Sequence, residues 1–357
     1  MNTVRYARWM HDRGWTVKVF CVEGSHISKH SIEQGLEVVL IRRNKKYFDW
    51  INAWRVKNLF AQHEIALCWF RDTRDFDLLG WVKRWSHGRV KLLYQQAMQF
   101  GVSKKDFMHT FRFKPVDAWI STLNFLADQV KQQTHFSHEK IHVIPLGVDA
   151  SRWENDRITQ SEARRELGLP LNVKFAGIIG RIDPLKGQHI ALQAFLNIAD
   201  QYPKLHLLLV GESTLHEGNA YEKELHEHAQ SSTFKDRIHF LPYSKNVKLF
   251  YEAIDLFLLC SKGETFGTVT IEAMSFSKPV IATNSSGSPE ILNHGNCGLL
   301  FEPEQPDDLS KAMRRLLDDE AFAKSLGQKG RQQYERKFSA AASVDAMEKV
   351  VLKLMAR

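Results

Sequence analysis

Four cysteines in 357 residues, Cys21, Cys68, Cys260 and Cys297, are too few and too scattered for a disulfide framework or a metal-ligand spacing. They read as reduced, buried thiols of a cytosolic protein. No apolar run approaches the roughly eighteen residues of a membrane span. No secretory leader precedes the first structured residues, so an exported or membrane-spanning chain is not expected. Tandem repeats, low-complexity runs and a long disordered tail are also missing. Tryptophan is absent after Trp153: all nine fall at or before that position. Acidic excess is missing from the half that holds the tryptophans. Residues 1–150 carry 23 Lys and Arg against 14 Asp and Glu, whereas the remainder carries 26 against 27. The N-terminal half is therefore basic and aromatic, which fits nucleic acid, anionic lipid or an acidic substrate. No recognised nucleic-acid motif accompanies the charge, so no nucleic-acid partner is expected.

What is present fills two domains, each large enough for its own core. Strand-like runs alternate with helical patterns, which implies parallel sheets. In the second half the strands are 173–179, 205–210, 238–241, 256–259, 279–282 and 298–301. Helical patterns at 189–201, 221–230, 307–317 and 340–355 lie between or after them. In the first half Thr16–Val22, Gly35–Ile41, Ile65–Phe70, Val90–Tyr94 and Ala118–Ser121 read as strands, and Ile141–Asp149 closes the domain. Polar residues up to Ser161 form the linker. Residues 1–150 are thus one domain and 151–339 the other.

The most informative stretch runs from Ser261 to Ala282. An apolar strand ends at Leu259, a loop carries Glu264 and Gly267, and a helix begins near Thr268. That helix N-terminus projects from the carboxyl end of a strand, where α/β sheets bind ligands. Free N–H groups near Phe266, Gly267 and Thr268 favour an anion there. Glu264 and Glu272 can accept hydrogen bonds from sugar hydroxyls, which charge assistance strengthens. A nucleotide sugar supplies both groups. The competing reading is an ordinary strand–loop–helix with solvated acids. A second stretch, Val173–Gln188, is a strand, a glycine turn and a helix start. Gly180 lies in the turn, and Arg181 and Lys186 are placed to clamp a diphosphate. It is not a Walker loop.

Gly-Arg-x-x-x-x-Lys-Gly from Gly180, followed about eighty residues later by Glu-x-Phe-Gly-x-x-x-x-Glu-Ala-Met from Glu264, resembles the two donor-site motifs of the family 4 retaining glycosyltransferases (glycosyltransferases group 1). The resemblance covers nearly the whole chain and is strongest over 141–302. It implies the GT-B fold, an α/β architecture of two Rossmann-like domains facing across a cleft. The first would be the acceptor side, with the C-terminal helix 340–357 packing back on it. The second would bind the nucleotide sugar. Arg181 and Lys186 would neutralise the donor diphosphate, and Glu264 would hold donor-sugar hydroxyls. The N–H groups of Phe266 to Thr268 would meet the sugar and distal phosphate. Glu272 would take the ribose hydroxyls, and Tyr243 is a weaker candidate for contact with the base. The implied reaction is metal-independent hexosyl transfer from a UDP- or GDP-sugar to a glycan or lipid-linked acceptor in cell-surface polysaccharide or glycolipid synthesis. The donor is a substrate and no cofactor is expected. Alternatives are an epimerase or phosphorylase of the same fold, or a catalytically weak nucleotide-sugar-binding protein.

Several features stand outside those motifs. Basic residues beside Trp50 and Trp54, in a helix expected over Tyr47–Lys57, suit peripheral contact with an anionic membrane at its inner face. A surface helix packed on its sheet explains the same pattern. Asp75-Phe-Asp77 has the form of a metal-binding triplet, and one such triplet is weak evidence. Gln95 and Gln96 are the polar candidates near the acceptor, with loop hydrogen bonding the simpler role. Glu290 reads as helix capping. Thr265 and Ser277 stand where the family frequently has glycine. The family's first strand and glycine loop are not found ahead of the helix at Asn2–Arg13. The expectation is therefore a gap beside the Thr16–Val22 strand, from an upstream start or from weakened activity.

Overall fold

The computed structural model describes residues 2–45, 49–154, 158–213, 220–244 and 246–356. The chain divides into two compact units, residues 1–147 with 341–357, and residues 148–340.

In the first unit helix α1 (Asn2–Asp12) leads into strand β1 (Lys18–Cys21), α2 (His26–Glu33) and β2 (Glu37–Leu40). Then come α3 (Trp50–Gln62), β3 (Leu67–Phe70), α4 (Asp75–Trp85), β4 (Lys91–Gln95), α5 (Phe107–Phe113), β5 (Ala118–Ser121), α6 (Asn124–Gln133) and β6 (Ile141–Val143). All pairings are parallel, but they form two sheets, β1–β2 and β3–β4–β5–β6. Among the described residues no ladder joins β1 to β3, so each keeps an unpaired edge. Helix α3 starts at Trp50 because the Asp49 side chain caps the Asn52 N–H. It runs beyond Lys57 to Gln62. Residues 46–48, which the sequence placed partly in this helix, lie outside the described residues. An aromatic core holds the larger sheet, with Trp119 fully buried against Tyr94, Phe113 and Phe136.

The second unit opens with α7 (Ser151–Glu154) and α8 (Gln160–Glu166), the latter fixed by a Thr159–Glu162 capping box. Six strands follow: β7 (Lys174–Ile179), β8 (Leu205–Val210), β9 (Ile238–Leu241), β10 (Leu256–Leu259), β11 (Val280–Thr283) and β12 (Leu299–Phe301). They form one parallel sheet in the order β12–β11–β10–β7–β8–β9. Its central strands are apolar on both faces, as a sheet covered twice requires. The chain winds outward from β7 through β8 to β9, then returns to β10 and winds the other way. The winding direction therefore reverses between β7 and β10, the place where open α/β sheets leave a crevice.

The covering helices are α9 (Gln188–Leu196), α10 (Ala220–Ser231), α11 (Val247–Ala253), α12 (Thr268–Ser275), α13 (Ser288–Ile291), α14 (Pro306–Asp318) and α15 (Glu320–Gln333). Helix α15 has no counterpart in the sequence reading, because Gly327 and Gly330 break its pattern. The structure explains Gly327: a Cβ there would lie 2.1 Å from the Ser277 carbonyl oxygen. The final helix, α16 (Ala340–Met355), returns to the first unit. Its Glu348 accepts hydrogen bonds from Arg13 (2.8 Å) and the Trp15 indole (2.7 Å).

Candidate functional site

The loop after β7 and the loop after β10 meet at the reversal point. Asp183 caps the first loop, accepting from the Leu185 N–H at 2.8 Å and from the Arg181 guanidinium at 2.7 Å. The buried Gln188 amide donates to the Arg181 carbonyl at 2.8 Å. Gly187 closes the loop in the left-handed region at φ 72°. A Cβ on it would lie 2.2 Å from the Cys260 carbonyl oxygen, so the position requires glycine on two counts. The Lys262 N–H donates to the Leu185 carbonyl at 3.0 Å and ties the two loops together. The Gly287 N–H holds the Glu264 carbonyl at 3.1 Å.

This packing brings Lys186 Nζ to 2.7 Å from Glu264 Oε2, seventy-eight residues further along the chain. Both side chains line a cavity of about 140 Å³ with Ile178, Ile179, Gly180, Ser261, Thr268 and Val269. That space takes a diphosphate more readily than a whole nucleotide sugar, since pockets for drug-sized ligands run to ~300 Å³ and above. Helix α12 opens beside it with no side-chain cap. The Thr270 and Ile271 N–H groups return to the Gly267 carbonyl, whereas those of Thr268 and Val269 have no acceptor among the described residues. Two free N–H donors, a lysine ammonium and a carboxylate thus converge on one space. The donors suit phosphate oxygens, and the carboxylate suits hydroxyls.

Gly180, Lys186, Glu264 and Thr268 therefore come together. The other sequence candidates do not line this cavity. Arg181 flanks it, paired with Asp183 and about half exposed. Phe266 is buried and packs towards Phe338. Gly267 is the N-cap of α12. Glu272 sits one turn into α12 and accepts from the buried Tyr251 hydroxyl at 2.9 Å. Tyr243 is exposed after β9. Ser261 and Gln188 reach the cavity without having been assigned a role, and the signal for Gln188 was its place directly after Lys186-Gly187.

The models of two families match, Glycosyl transferases group 1 over residues 159–333 and Glycosyltransferase Family 4 over residues 3–152. The chain belongs to the family 4 (group 1) glycosyltransferases. A D-inositol 3-phosphate glycosyltransferase of Corynebacterium jeikeium is 33% identical over 216 residues, 59% of this chain and 51% of that protein. The spore coat protein SA of Bacillus subtilis is 25% identical over 228 residues, 61% of this chain and 60% of that protein. The chain spans about half the length of the curated relatives it matches. Among solved structures, a glycosyltransferase of Rickettsia africae superposes with TM-score 0.87 at 18% identity, covering 99% of this chain and 94% of that one. Anabaena HepE in complex with UDP-glucose gives 0.77 at 20% identity, over 99% and 95%. These likenesses show the two-domain α/β fold of GT-B glycosyltransferases.

In this family member the remaining candidates have partners of their own. Asp77 pairs with Arg112 at 2.9 Å, and Asp75 accepts from Asn44 at 2.8 Å. Burial, then the neighbouring Asp72, raises the Asp75 carboxyl to about 6. Gln96 is buried, accepts from Ser121 Oγ at 2.9 Å and donates to the Met98 carbonyl at 3.0 Å. Glu290 lies in the first turn of the four-residue α13. The four cysteines are free. Burial pushes the Cys68 thiol to about 12 and Cys297 to about 11, so both stay protonated and unreactive. Among the described residues no helix is long and apolar enough to cross a membrane.

Proposed function

We propose that this glycosyltransferase moves a sugar, with retention of anomeric configuration, from a UDP- or GDP-sugar to a glycan or lipid-linked acceptor. The observation that carries the reading is the Lys186–Glu264 pair, set in a cavity beside the uncapped start of α12. An ammonium has three donors. Lys186 can therefore keep Glu264 on one and offer two to the leaving diphosphate, with the Thr268 and Val269 N–H groups completing the cradle. Arg181, beside the cavity, adds a second cation on release from Asp183. As the anomeric C–O bond breaks, negative charge collects on the diphosphate, and preorganised donors there lower the barrier. Glu264, oriented by Lys186, accepts from donor-sugar hydroxyls. Glu272 on the next turn takes the ribose hydroxyls. The acceptor attacks the same face, its proton passing to a donor phosphate oxygen. Several relatives are named D-inositol 3-phosphate glycosyltransferases, which supports this class of transfer.

We also infer that the first unit rests on an anionic membrane that presents a lipid-linked acceptor. Exposed Trp50, Ile51 and Trp54 on α3 support this, next to exposed Arg42, Arg43, Lys45 and Arg55.

A screen of UDP- and GDP-sugars for protection against thermal unfolding tests the donor assignment. At least one should raise the midpoint of the parent chain and fail to do so in Lys186→Ala. No shift with any nucleotide sugar would overturn the reading. Product analysis with the binding sugar separates transfer from epimerisation or phosphorolysis.

A further inference from the structure

The first unit holds an uncompensated arginine. Strands β3 and β4 pair in parallel with Phe70 opposite Tyr94, so Arg71 and Gln95 stand side by side at their carboxyl ends. Arg71 is half-buried and makes no ion pair or hydrogen bond among the described residues. Its acidic neighbours are engaged elsewhere. Asp72 binds the Arg74 guanidinium through both carboxylate oxygens, at 3.0 and 2.5 Å. Asp75 accepts from Asn44. The groups whose charge Arg71 does feel are the phenols of Tyr6 and Tyr94, and burial holds both protonated. Burial also disfavours the charged guanidinium itself.

Polar groups around it point the same way. The Gln95 side chain is fully buried and forms no well-shaped hydrogen bond among the described residues, the Tyr6 hydroxyl being a partial partner. That hydroxyl is fixed by Ser343 on α16 and by the Gly147 N–H at 3.1 Å, and the Tyr6 ring packs on Trp69 of β3 at 5.0 Å. A withdrawn cation without a counter-charge and a poorly paired buried amide each cost folding free energy. Both sit at the carboxyl ends of parallel strands, where such sheets take ligands. The guanidinium fork matches a phosphate or a carboxylate.

We propose that Arg71, backed by Gln95 and Tyr6, forms a subsite for an anionic group, phosphate or carboxylate, carried by the acceptor. This rests on the glycosyl-transfer reading for the word acceptor, and on the first unit alone for the anion.

The test uses the full chain with Arg181→Ala and Lys186→Ala, which removes the diphosphate cations of the second unit. Inorganic phosphate is titrated calorimetrically at constant ionic strength against chloride. Saturable binding is expected, weakened at least tenfold by Arg71→Met and partly kept by Arg71→Lys. The thermal midpoint of Arg71→Met without phosphate should equal or exceed that of its parent, because an unpaired cation has been removed. Equal phosphate binding in the parent and Arg71→Met, or none in the parent, would overturn the subsite. The second arm uses the otherwise unchanged chain and paired acceptors that differ by one phosphate or carboxylate. Arg71→Met should raise KM for the anionic member at least tenfold and leave the neutral one unaltered. Phosphate binding without any such preference would assign the site to a free anion and overturn the acceptor assignment. Failure of every nucleotide sugar to bind would instead sink the transfer reading, while the phosphate titration still decides the subsite.

Discussion

Lys186 and Glu264 hold each other at 2.7 Å, but the pair is only partly buried, so its net worth to folding is under about 1 kcal/mol. Its value lies in where it places charge. Lys186→Ala should therefore leave the unfolding midpoint nearly unchanged while lowering turnover by about 10²–10³-fold, the usual effect of losing one preorganised donor at a developing charge. Parent-like rates in a steady-state assay would remove Lys186 from the site. The two glutamates should separate. Glu272→Gln should weaken binding of the sugar-free nucleotide diphosphate, whereas Glu264→Gln should spare that binding and reduce transfer. Calorimetry showing equal losses in both variants would contradict this division. That Lys186 and Glu264 would come together was legible in the sequence, because two short motifs mark their positions, whereas Glu272, placed with them, does not line the cavity. Gln95 reads in the sequence as a polar candidate near the acceptor, with loop hydrogen bonding its simpler role. Arg71 carries no reading there at all, since no motif marks a side chain whose meaning is the absence of a partner.

At the scale of elements, the parallel strands were legible from their apolar runs, and helix ends were less so. Helix α12 ends in a Schellman turn, with the Ser277 N–H on the Met274 carbonyl and the Lys278 N–H on the Ala273 carbonyl. Ser277 consequently adopts φ 56°, a region that favours glycine, the residue the resemblance led one to expect there. Ser277→Gly should raise stability in urea by about 0.5–1 kcal/mol, since only glycine enters that region without steric cost. No gain would mean that serine makes a compensating contact. Strands β8 and β9 carry a second consequence. His206 and His239 stack at 5.2 Å, and Nδ1 of His206 lies 2.9 Å from Nε2 of His239. Burial, then the neighbouring His239, pushes His206 down to about 4, and burial lowers His239 as well. A depressed pKa means the folded state binds the proton less well than the unfolded chain. Stability is therefore complete above about 6.5 and falls as pH drops towards 4, by on the order of 2 kcal/mol. Urea denaturation at stepped pH should show this slope in the parent and a flatter one in His206→Leu. Equal slopes would place the acid sensitivity elsewhere.

At the scale of the molecule, the sequence shows that charge and tryptophan are concentrated in one half, and the structure shows how they are arranged. Helices α3, α4 and α5 carry a connected aromatic surface. Trp50 meets Trp81 at 6.1 Å, Trp81 meets Trp85 at 5.7 Å, and Arg84 lies over both Trp81 and Phe111. Phe107, stacked on Phe111, is 80% exposed, which a packed helix face would not leave in water. Exposed Arg42, Arg43, Lys45, Arg55, Lys105 and Lys114 lie on or near these helices in the chain. Periodicity could not separate a packed surface helix from an interfacial one, because both need an apolar stripe. The exposure of Trp50, Ile51, Trp54 and Phe107 is what supports the interfacial reading proposed above. Tryptophan and phenylalanine at a lipid boundary gain by apolar burial, and each nearby cation adds about 1 kcal/mol on an anionic surface. The chain should sediment with vesicles containing phosphatidylserine or phosphatidylglycerol and not with purely zwitterionic ones. Its binding should fall as salt rises from about 0.05 to 0.5 M, since the Debye length shrinks below the contact distance. Trp50→Ser with Trp54→Ser should cut vesicle affinity at least tenfold and leave nucleotide binding unchanged. Undiminished sedimentation of that double variant, or equal binding to neutral vesicles, would show that the aromatic surface has another purpose.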